Sequence, residues 1–362
     1  MSAGFVPPPY PYDRLNEAKA SASAFDGGIV DLSIGTPFDP PADEVVAALS
    51  TSGTERGYPA SIGSGRLREA AVGWMARRFG VDVPLAGVAA CVGTKEFVAG
   101  VVAYLRLRTP DRDTVLFPSV AYPTYEMGAT LAGCRGVPVD DLGEISDADA
   151  GRVLCLWVNS PANPTGALAD LGAAAAWGRA HGVPVLSDEC YAEFTWDGLP
   201  HTILEHGLDG VLAVHSLSKR SNLAGLRVGF YAGDAELVHY LSEVRKHAGF
   251  MVPGPVQAAA AVALDDDAHV DAQRERYLER LWYFADVLRA EGATVDLPGG
   301  SFYLWARAPG DDAWAFTRDL AVRGGVLVSP GDLYGPAGAG HVRVAMVQPM
   351  ERLTLVAERL GI

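Results

Sequence analysis

Between Val88 and Gly233 short apolar runs alternate with longer stretches of helical period, and no other feature of the chain narrows its fold so far. Alternation of this kind marks a mostly parallel sheet covered by helices. Each parallel connection needs a crossover long enough to hold a helix. Strands are expected at Val88–Val92, Thr114–Phe117, Val153–Val158, Val183–Ser187, Val211–His215 and Val228–Ala232. Helices are expected between them, over Lys95–Leu107, Tyr125–Ala132 and Leu168–His181. Several strand runs are continuously apolar, as strands buried on both faces are. The pattern changes after Pro255. Val256–Leu264 and Ala272–Glu291 have helical period on either side of Asp265, Asp266 and Asp267. Strand-like Ser301–Ala306, Val326–Val328 and His341–Val347 then mix with helices over Ala313–Arg323 and Glu351–Leu360, an α+β pattern that predicts a second, smaller domain.

A length of 362 residues agrees with two domains. Hydrophobic residues at 49% and charged residues at 20% exclude disorder as the main state. The net charge of −15 repels polyphosphates and anionic membranes, so no nucleic-acid or membrane partner is expected. Any anionic ligand must be held by a few placed cations. Cys91, Cys134, Cys155 and Cys190 show no CxxC spacing, which predicts reduced thiols in a cytoplasmic protein and no metal site. Met1–Asp13 is rich in Pro and Tyr without a basic or apolar region, so no secretory signal is expected there. The longest uncharged apolar stretch, about His247 to Leu264, is broken by Pro253, Gly254 and Pro255, and no membrane span is expected. No internal repeat of fixed period is seen.

The residues that carry chemistry stand where the central strands run into loops, the edge at which open parallel sheets bind ligands. His215-Ser216-Leu217-Ser218-Lys219 follows a strand, and Arg227 comes eight residues after the lysine. A lysine there can form a Schiff base, while hydroxyls and a guanidinium can hold a phosphate. The same Ser216 and Lys219 also fit the SxxK of serine acyl-enzymes, and an exposed loop lysine is the plain alternative. Asp188 and Tyr191 end another strand, where they can serve a cofactor ring or simply cap and pack. Asn159–Gly166 is a Pro- and Asn-rich turn. Gly93, Thr94 and Lys95 open a helix whose free N–H groups can bind phosphate.

Arriving in this order, these segments resemble the fold-type I, class I/II aminotransferases that use pyridoxal 5'-phosphate, over essentially the whole chain. The resemblance rests on the turn Asn163–Gly166, the Asp188 and Tyr191 pair, the SxSK segment and the arginine eight residues on. It implies a large α/β domain with a mostly parallel seven-stranded sheet flanked by helices, plus a smaller α+β domain. The expected division is an arm over 1–40 contributing to the small domain and substrate entrance, a cofactor domain over 41–255, and a connecting helix with the small domain over 256–362. Lys219 is then the Schiff-base lysine and proton carrier, Asp188 the partner of the pyridine nitrogen, and Asn163 and Tyr191 donors to the cofactor phenolate. Tyr122 matches the aromatic residue stacked on the ring. Gly93, Thr94, Lys95, Ser216, Ser218 and Arg227 are implied to hold the phosphate, with the backbone of Lys95 and not its amine taking part. Arg343, in His341-Val342-Arg343-Val344-Ala345, matches the arginine that clamps the substrate α-carboxylate. Gly35 lies in the segment expected to fold over the substrate. Tyr58, in Gly57-Tyr58-Pro59, is implied to reach the neighbouring subunit's phosphate, which makes a homodimer the expected assembly.

Within the family the resemblance is to the actinobacterial type of N-succinyldiaminopimelate aminotransferase. It is carried by Pro9–Asp13, Val30–Ser33, the HSLSKRSNLAG of His215–Gly225, the EVRKHAGFMVP of Glu243–Pro253, Asp265–Val270 and Pro330–Pro336. This implies amino transfer between glutamate and N-succinyl-2-amino-6-oxopimelate, in diaminopimelate and lysine biosynthesis, with 2-oxoglutarate as the glutamate partner. The distal carboxylates of that substrate need cations beyond Arg343. Arg245, Lys246 and His247 are the available cluster, either for that task or as a solvated helix end. The alternatives are another class I/II aminotransferase, of aromatic, branched or aspartate type, and a lyase on the same fold. A serine acyl-enzyme would need KTG and SDN partners that do not accompany Ser216 and Lys219, and a PLP-fold regulator would need a DNA-binding extension, which the net charge of −15 makes unexpected.

Overall fold

The computed structural model describes residues 4–362, so the first three residues of the expected arm lie outside the described residues. The strands among the described residues, in chain order, are β1 (Val30–Asp31), β2 (Val88–Cys91), β3 (Thr114–Phe117), β4 (Arg135–Pro138), β5 (Val153–Asn159) and β6 (Val185–Asp188). They continue with β7 (Val211–Ser216), β8 (Gly229–Gly233), β9 (Tyr303–Arg307), β10 (Val326–Leu327), β11 (Ser329–Pro330) and β12 (His341–Ala345). Seven of them form one sheet in the order β2-β8-β7-β6-β5-β3-β4. All its pairings are parallel except those of β8, which runs antiparallel to both β2 and β7.

The continuous apolar runs have a direct cause, since the sheet is covered on both faces. Along β7, Val211 and Ala213 enter the core that contains Leu67, Trp74 and Leu264. Leu212 and Val214 enter the opposite core, with Phe97, Val101, Tyr125 and Trp157. The strand that residue patterning does not disclose is β4. It is an edge strand, half-exposed, with Arg135 at one end and Pro138 at the other, so it carries neither an apolar run nor alternation.

Element ends shift for local reasons. The helix expected from Leu168 starts at Leu171, because Asp170 accepts from the Ala173 N–H and caps it. The strand expected from Val183 starts at Val185, because the Val183 N–H still closes the preceding helix on Gly178 O across left-handed Gly182. Helix Gly254–Asp265 packs on helices Asp43–Thr51 and Gly65–Phe79, placing Ala259, Ala260, Ala263 and Leu264 in the core beneath the seven-stranded sheet.

A separate antiparallel sheet, β11-β12-β9, and the parallel pair β1-β10 complete the fold. They share a core with helices Ala268–Ala290 and Met350–Leu360, built from Leu281, Phe284, Leu304, Val344 and Val356. The pairing of Val30 with Val326 ties the start of the chain to its end. From there residues 32–40 form a strap beside the segment that follows β7, with Gly35 O accepting from Lys219 Nζ and Pro40 O from Asn222 Nδ2. Cys91 and Cys155 are buried, Cys134 and Cys190 partly so, and all four are free. No helix of the described residues is long and apolar enough to cross a membrane.

Candidate active site

Three parallel strands end side by side: Asn159, Asp188 and Ser216 are the last residues of β5, β6 and β7. A cavity of about 460 Å³ opens beyond them. Gly35, Thr94, Lys95, Tyr122, Asn163, Asp188, Tyr191, Ser216, Ser218, Lys219, Arg227 and Arg343 all line it. Residues spread over some three hundred positions therefore meet at one edge of the sheet. Gly93 does not line it, although its neighbour Thr94 does. Tyr58 is fully exposed and borders a different cavity.

One end of the cavity is built for an anion. Gly93, at φ +73°, precedes helix Thr94–Arg108 and offers no side-chain cap, so the first N–H groups of that helix stay free. A Cβ on Gly93 would strike the Arg227 guanidinium, so only glycine lets the two approach. Arg227 is itself held by its bond from Nη1 to Ala224 O, 2.8 Å. Ser216 caps the short helix Leu217–Arg220, its Oγ accepting from the Ser218 N–H at 3.1 Å. Helix N–H groups, two hydroxyls and a guanidinium around a pocket fit a phosphate.

Deeper in, Asp188 accepts at Oδ2 from the Tyr125 hydroxyl, 2.8 Å, and at Oδ1 from the Cys190 N–H, 3.2 Å. Burial raises its pKa, and these hydrogen bonds oppose that rise. A buried carboxylate at this depth suits a protonated ring nitrogen. Asn159 orders the adjoining turn: its Oδ1 accepts from the Asn163 N–H at 2.7 Å and its Nδ2 donates to Asp188 O at 2.7 Å. Lys219 reaches into the middle of the cavity, where its Nζ donates to Gly35 O. Burial first, then Arg343 and Arg227, lower its pKa to about 8, against the pull of Cys190 and Asp188. An amine with that pKa is roughly one-tenth neutral at pH 7, far more than an ordinary lysine, and that fraction can act as nucleophile or base.

The far side holds Arg343, 2% exposed. Its Nη1 donates to Asn163 Oδ1 at 2.8 Å and its Nη2 bonds to Ser33 O at 2.5 Å, while Nε is buried without a partner. The rings of Tyr303 and Tyr334 lie 4.3 and 4.8 Å from the guanidinium. Tyr191 bonds to the Tyr303 hydroxyl at 2.7 Å, and Tyr12 to that of Tyr334 at 2.9 Å. Over the mouth, Lys95 Nζ lies 3.2 Å from the Tyr10 hydroxyl.

Residue patterning does not single out Asn159, Tyr125, Tyr303, Tyr334, Tyr10 or Tyr12 as site residues. For Tyr10, Tyr12 and Tyr334 a signal exists, in the segments Pro9–Asp13 and Pro330–Pro336; for Tyr303 and Tyr125 there is none. The expected cation cluster is not at the cavity. Arg245 is buried in an ion pair with Glu96, Lys246 pairs with Glu243 at the surface, and His247 ends its helix in solvent.

The sequence model described as aminotransferase class I and II matches residues 28–360. The chain is 46% identical to the probable aminotransferase Rv1178 of Mycobacterium tuberculosis, over 98% of this chain and 85% of that one. It is 43% identical to the 4-dedimethylamino-4-oxo-anhydrotetracycline transaminase OxyQ of Streptomyces rimosus, over 98% and 99%. Among solved structures, a probable N-succinyldiaminopimelate aminotransferase from Thermus thermophilus superposes with a TM-score of 0.86 at 32% identity, over 97% and 99% of the two chains. The chain thus belongs to the class I and II aminotransferases, pyridoxal 5'-phosphate enzymes of fold type I.

Proposed function

We propose that this transaminase moves an amino group between glutamate and an oxo acid bearing a second, distal carboxylate, with N-succinyl-2-amino-6-oxopimelate as the acceptor. The observation that carries the reading is Lys95. Lys95 lines the cavity, its ammonium bonds to the Tyr10 hydroxyl at 3.2 Å, and it has no carboxylate partner among the described residues. A second cation lining the same cavity as Arg343 complements a dicarboxylate. The probable N-succinyldiaminopimelate aminotransferase among the relatives supports the same substrate.

The phosphate is read as held by the N-terminus of helix Thr94–Arg108 with Ser216, Ser218 and Arg227, and the ring nitrogen by Asp188. Bound there, the cofactor supplies an electron sink for charge that develops at the substrate Cα. Lys219 Nζ, lining the cavity with its pKa lowered, is the group that would take the proton from the substrate Cα and return it during the transfer. Arg343 orients the substrate through its α-carboxylate, for which its unpartnered Nε and the two Nη groups form a fork. Asn163 and Tyr191 donate to the cofactor phenolate. The arm over 1–40 is read as part of the substrate entrance, supported by Tyr10, Tyr12, Ile34 and Gly35 lining the cavity. Full exposure of Tyr58 supports a homodimer in which it reaches the partner's phosphate.

A second reading, amino transfer to a bulky ring ketone, is favoured by the phenols of Tyr10, Tyr12 and Tyr122 at the cavity and by the OxyQ relative. The test starts with the absorption band of the holoenzyme on adding glutamate, then compares acceptors. The band should shift to the shorter-wavelength amine form of the cofactor. Lys95→Met should raise KM for N-succinyl-2-amino-6-oxopimelate about tenfold, the worth of one charge-assisted bond, and leave phenylpyruvate within about twofold. Turnover of ring ketones alone, indifferent to Lys95, would move the assignment to the second reading.

A further inference from the structure

We propose that Arg245 is a positioning residue for cofactor phosphate binding: it neutralises Glu96, which otherwise sets a negative charge at the helix end that receives the phosphate. The inference rests on the reading of the Gly93–Thr94 turn as the phosphate site.

Glu96 is in the first turn of helix Thr94–Arg108. Its Oε2 accepts from the Val92 N–H at 3.0 Å, so the carboxylate closes the turn that leads from β2 into the helix. That bond gives the turn its shape, but at an electrostatic disadvantage. A carboxylate in the first turn stabilises a helix by meeting the positive end of its dipole, and a phosphate bound at the same end draws on the same potential. Two anions at one helix terminus repel.

Arg245 removes the conflict. It comes from the last turn of helix Ala235–His247 and is 2% exposed. Its Nη1 and Nη2 meet Oε1 and Oε2 of Glu96 at 2.5 and 2.9 Å, a two-point pairing. The rings of Phe250, Phe97 and Tyr231 surround the guanidinium at 4.9, 5.4 and 5.9 Å, which fixes it against Glu96 and excludes water. Glu96 thus keeps its hydrogen bond to the turn while its charge is cancelled by the pair. Neither residue lines the cavity. Arg245 acts through Glu96 and not on the cofactor.

A merely structural brace would affect every ligand of the pocket alike, whereas charge compensation acts on the phosphate. The experiment titrates full-length apoprotein with pyridoxal 5'-phosphate and with pyridoxal, which lacks the phosphate, and follows the absorption of the bound form. Arg245→Met should lower the preference for the phosphorylated form about tenfold at low salt, as expected for one uncompensated charge at short range. The double variant R245M/E96Q should restore it to within about twofold. Glu96→Gln alone, leaving Arg245 uncompensated, should raise the preference above wild type. An unchanged preference in R245M and E96Q overturns the proposal, as does a loss that E96Q fails to rescue. Breaking a buried pair can prevent folding, in which case E96Q and the double variant decide by the same criteria. Arg227→Met is the control. If it leaves the preference unchanged, the phosphate site is elsewhere and the reading beneath falls; if it lowers it while R245M does not, only the role of Arg245 falls.

Discussion

At the scale of single residues, the chemistry of the site depends on groups that do not themselves meet substrate. Tyr125 is one. Its hydroxyl is the side-chain donor that steadies Asp188 Oδ2, and its ring stacks on Trp157 with centroids 5.0 Å apart. Tyr125→Phe keeps the stacking and removes the bond to a buried carboxylate, about 1.5–3 kcal/mol. It should lower kcat about tenfold and leave KM within about twofold, as steady-state kinetics with glutamate would show. The residues in named motifs are legible because their chemistry constrains type and spacing together: Lys219 and Arg227, Asp188 and Tyr191. Tyr125 is not, because a tyrosine in an amphipathic helix looks the same whether its hydroxyl serves the core or a carboxylate. Arg245 misleads for a related reason. Next to Lys246 and His247 it has the sequence look of a solvated cluster, yet helical geometry turns it inward to Glu96 while its neighbours face water.

At the scale of elements, the strap Leu32–Pro40 joins the two ends of the site. Its carbonyls at Ser33 and Gly35 accept from Arg343 and Lys219, and Asp39 closes it with a two-point pair to Arg280 at 2.6 and 2.7 Å. Between these anchors Gly35 lies against Tyr303, where an added Cβ would overlap the phenol oxygen. Gly35→Ala must therefore displace either the strap or the Tyr303 hydroxyl that bonds Tyr191. An overpacked contact costs about 1–3 kcal/mol. KM for glutamate should rise about tenfold or more, with thermal stability lowered by a few degrees at most. The strap carries no periodic signal, and its place can be read only by resemblance. Likewise β4 escapes because an edge strand needs no apolar face, whereas the central strands announce themselves by being apolar throughout.

At the scale of the whole molecule, the sheet buries ionisable groups behind the site as well as in it. His215 and Glu189 approach to 3.5 Å, with Glu189 also bonded by the Ser187 hydroxyl and the Ile203 N–H. Burial raises the Glu189 pKa to about 7 and lowers that of His215 to about 3. The carboxyl alone would add stability at low pH that is lost as pH rises through about 7. The imidazole alone would add stability at high pH that is lost as pH falls below about 6.5. Between about 4.5 and 6.5 the folded pair binds one proton, on Glu189, and the unfolded pair also binds one, on the histidine, so the two slopes cancel. Glu189→Gln removes one of them. Thermal or urea unfolding should then show stability falling by about 1.4 kcal/mol per pH unit from 6.5 to 4.5, a slope this pair does not contribute in the wild type. The reversal of β8 shapes the site in its own way. Ser216, the end of β7, lies opposite Gly229, the start of β8. The chain leaves the rim of the sheet at Ser216 and re-enters at that same rim, so the stretch between is a U-turn and not a crossover. The amine of Lys219 stands on its outbound limb and the guanidinium of Arg227 on its return. Their spacing along the chain is thus the contour length of a bend. Were β8 parallel, the chain would have to travel to the opposite rim before re-entering, and Arg227 would arrive on the far side of the sheet from Lys219 and the cavity that both now line.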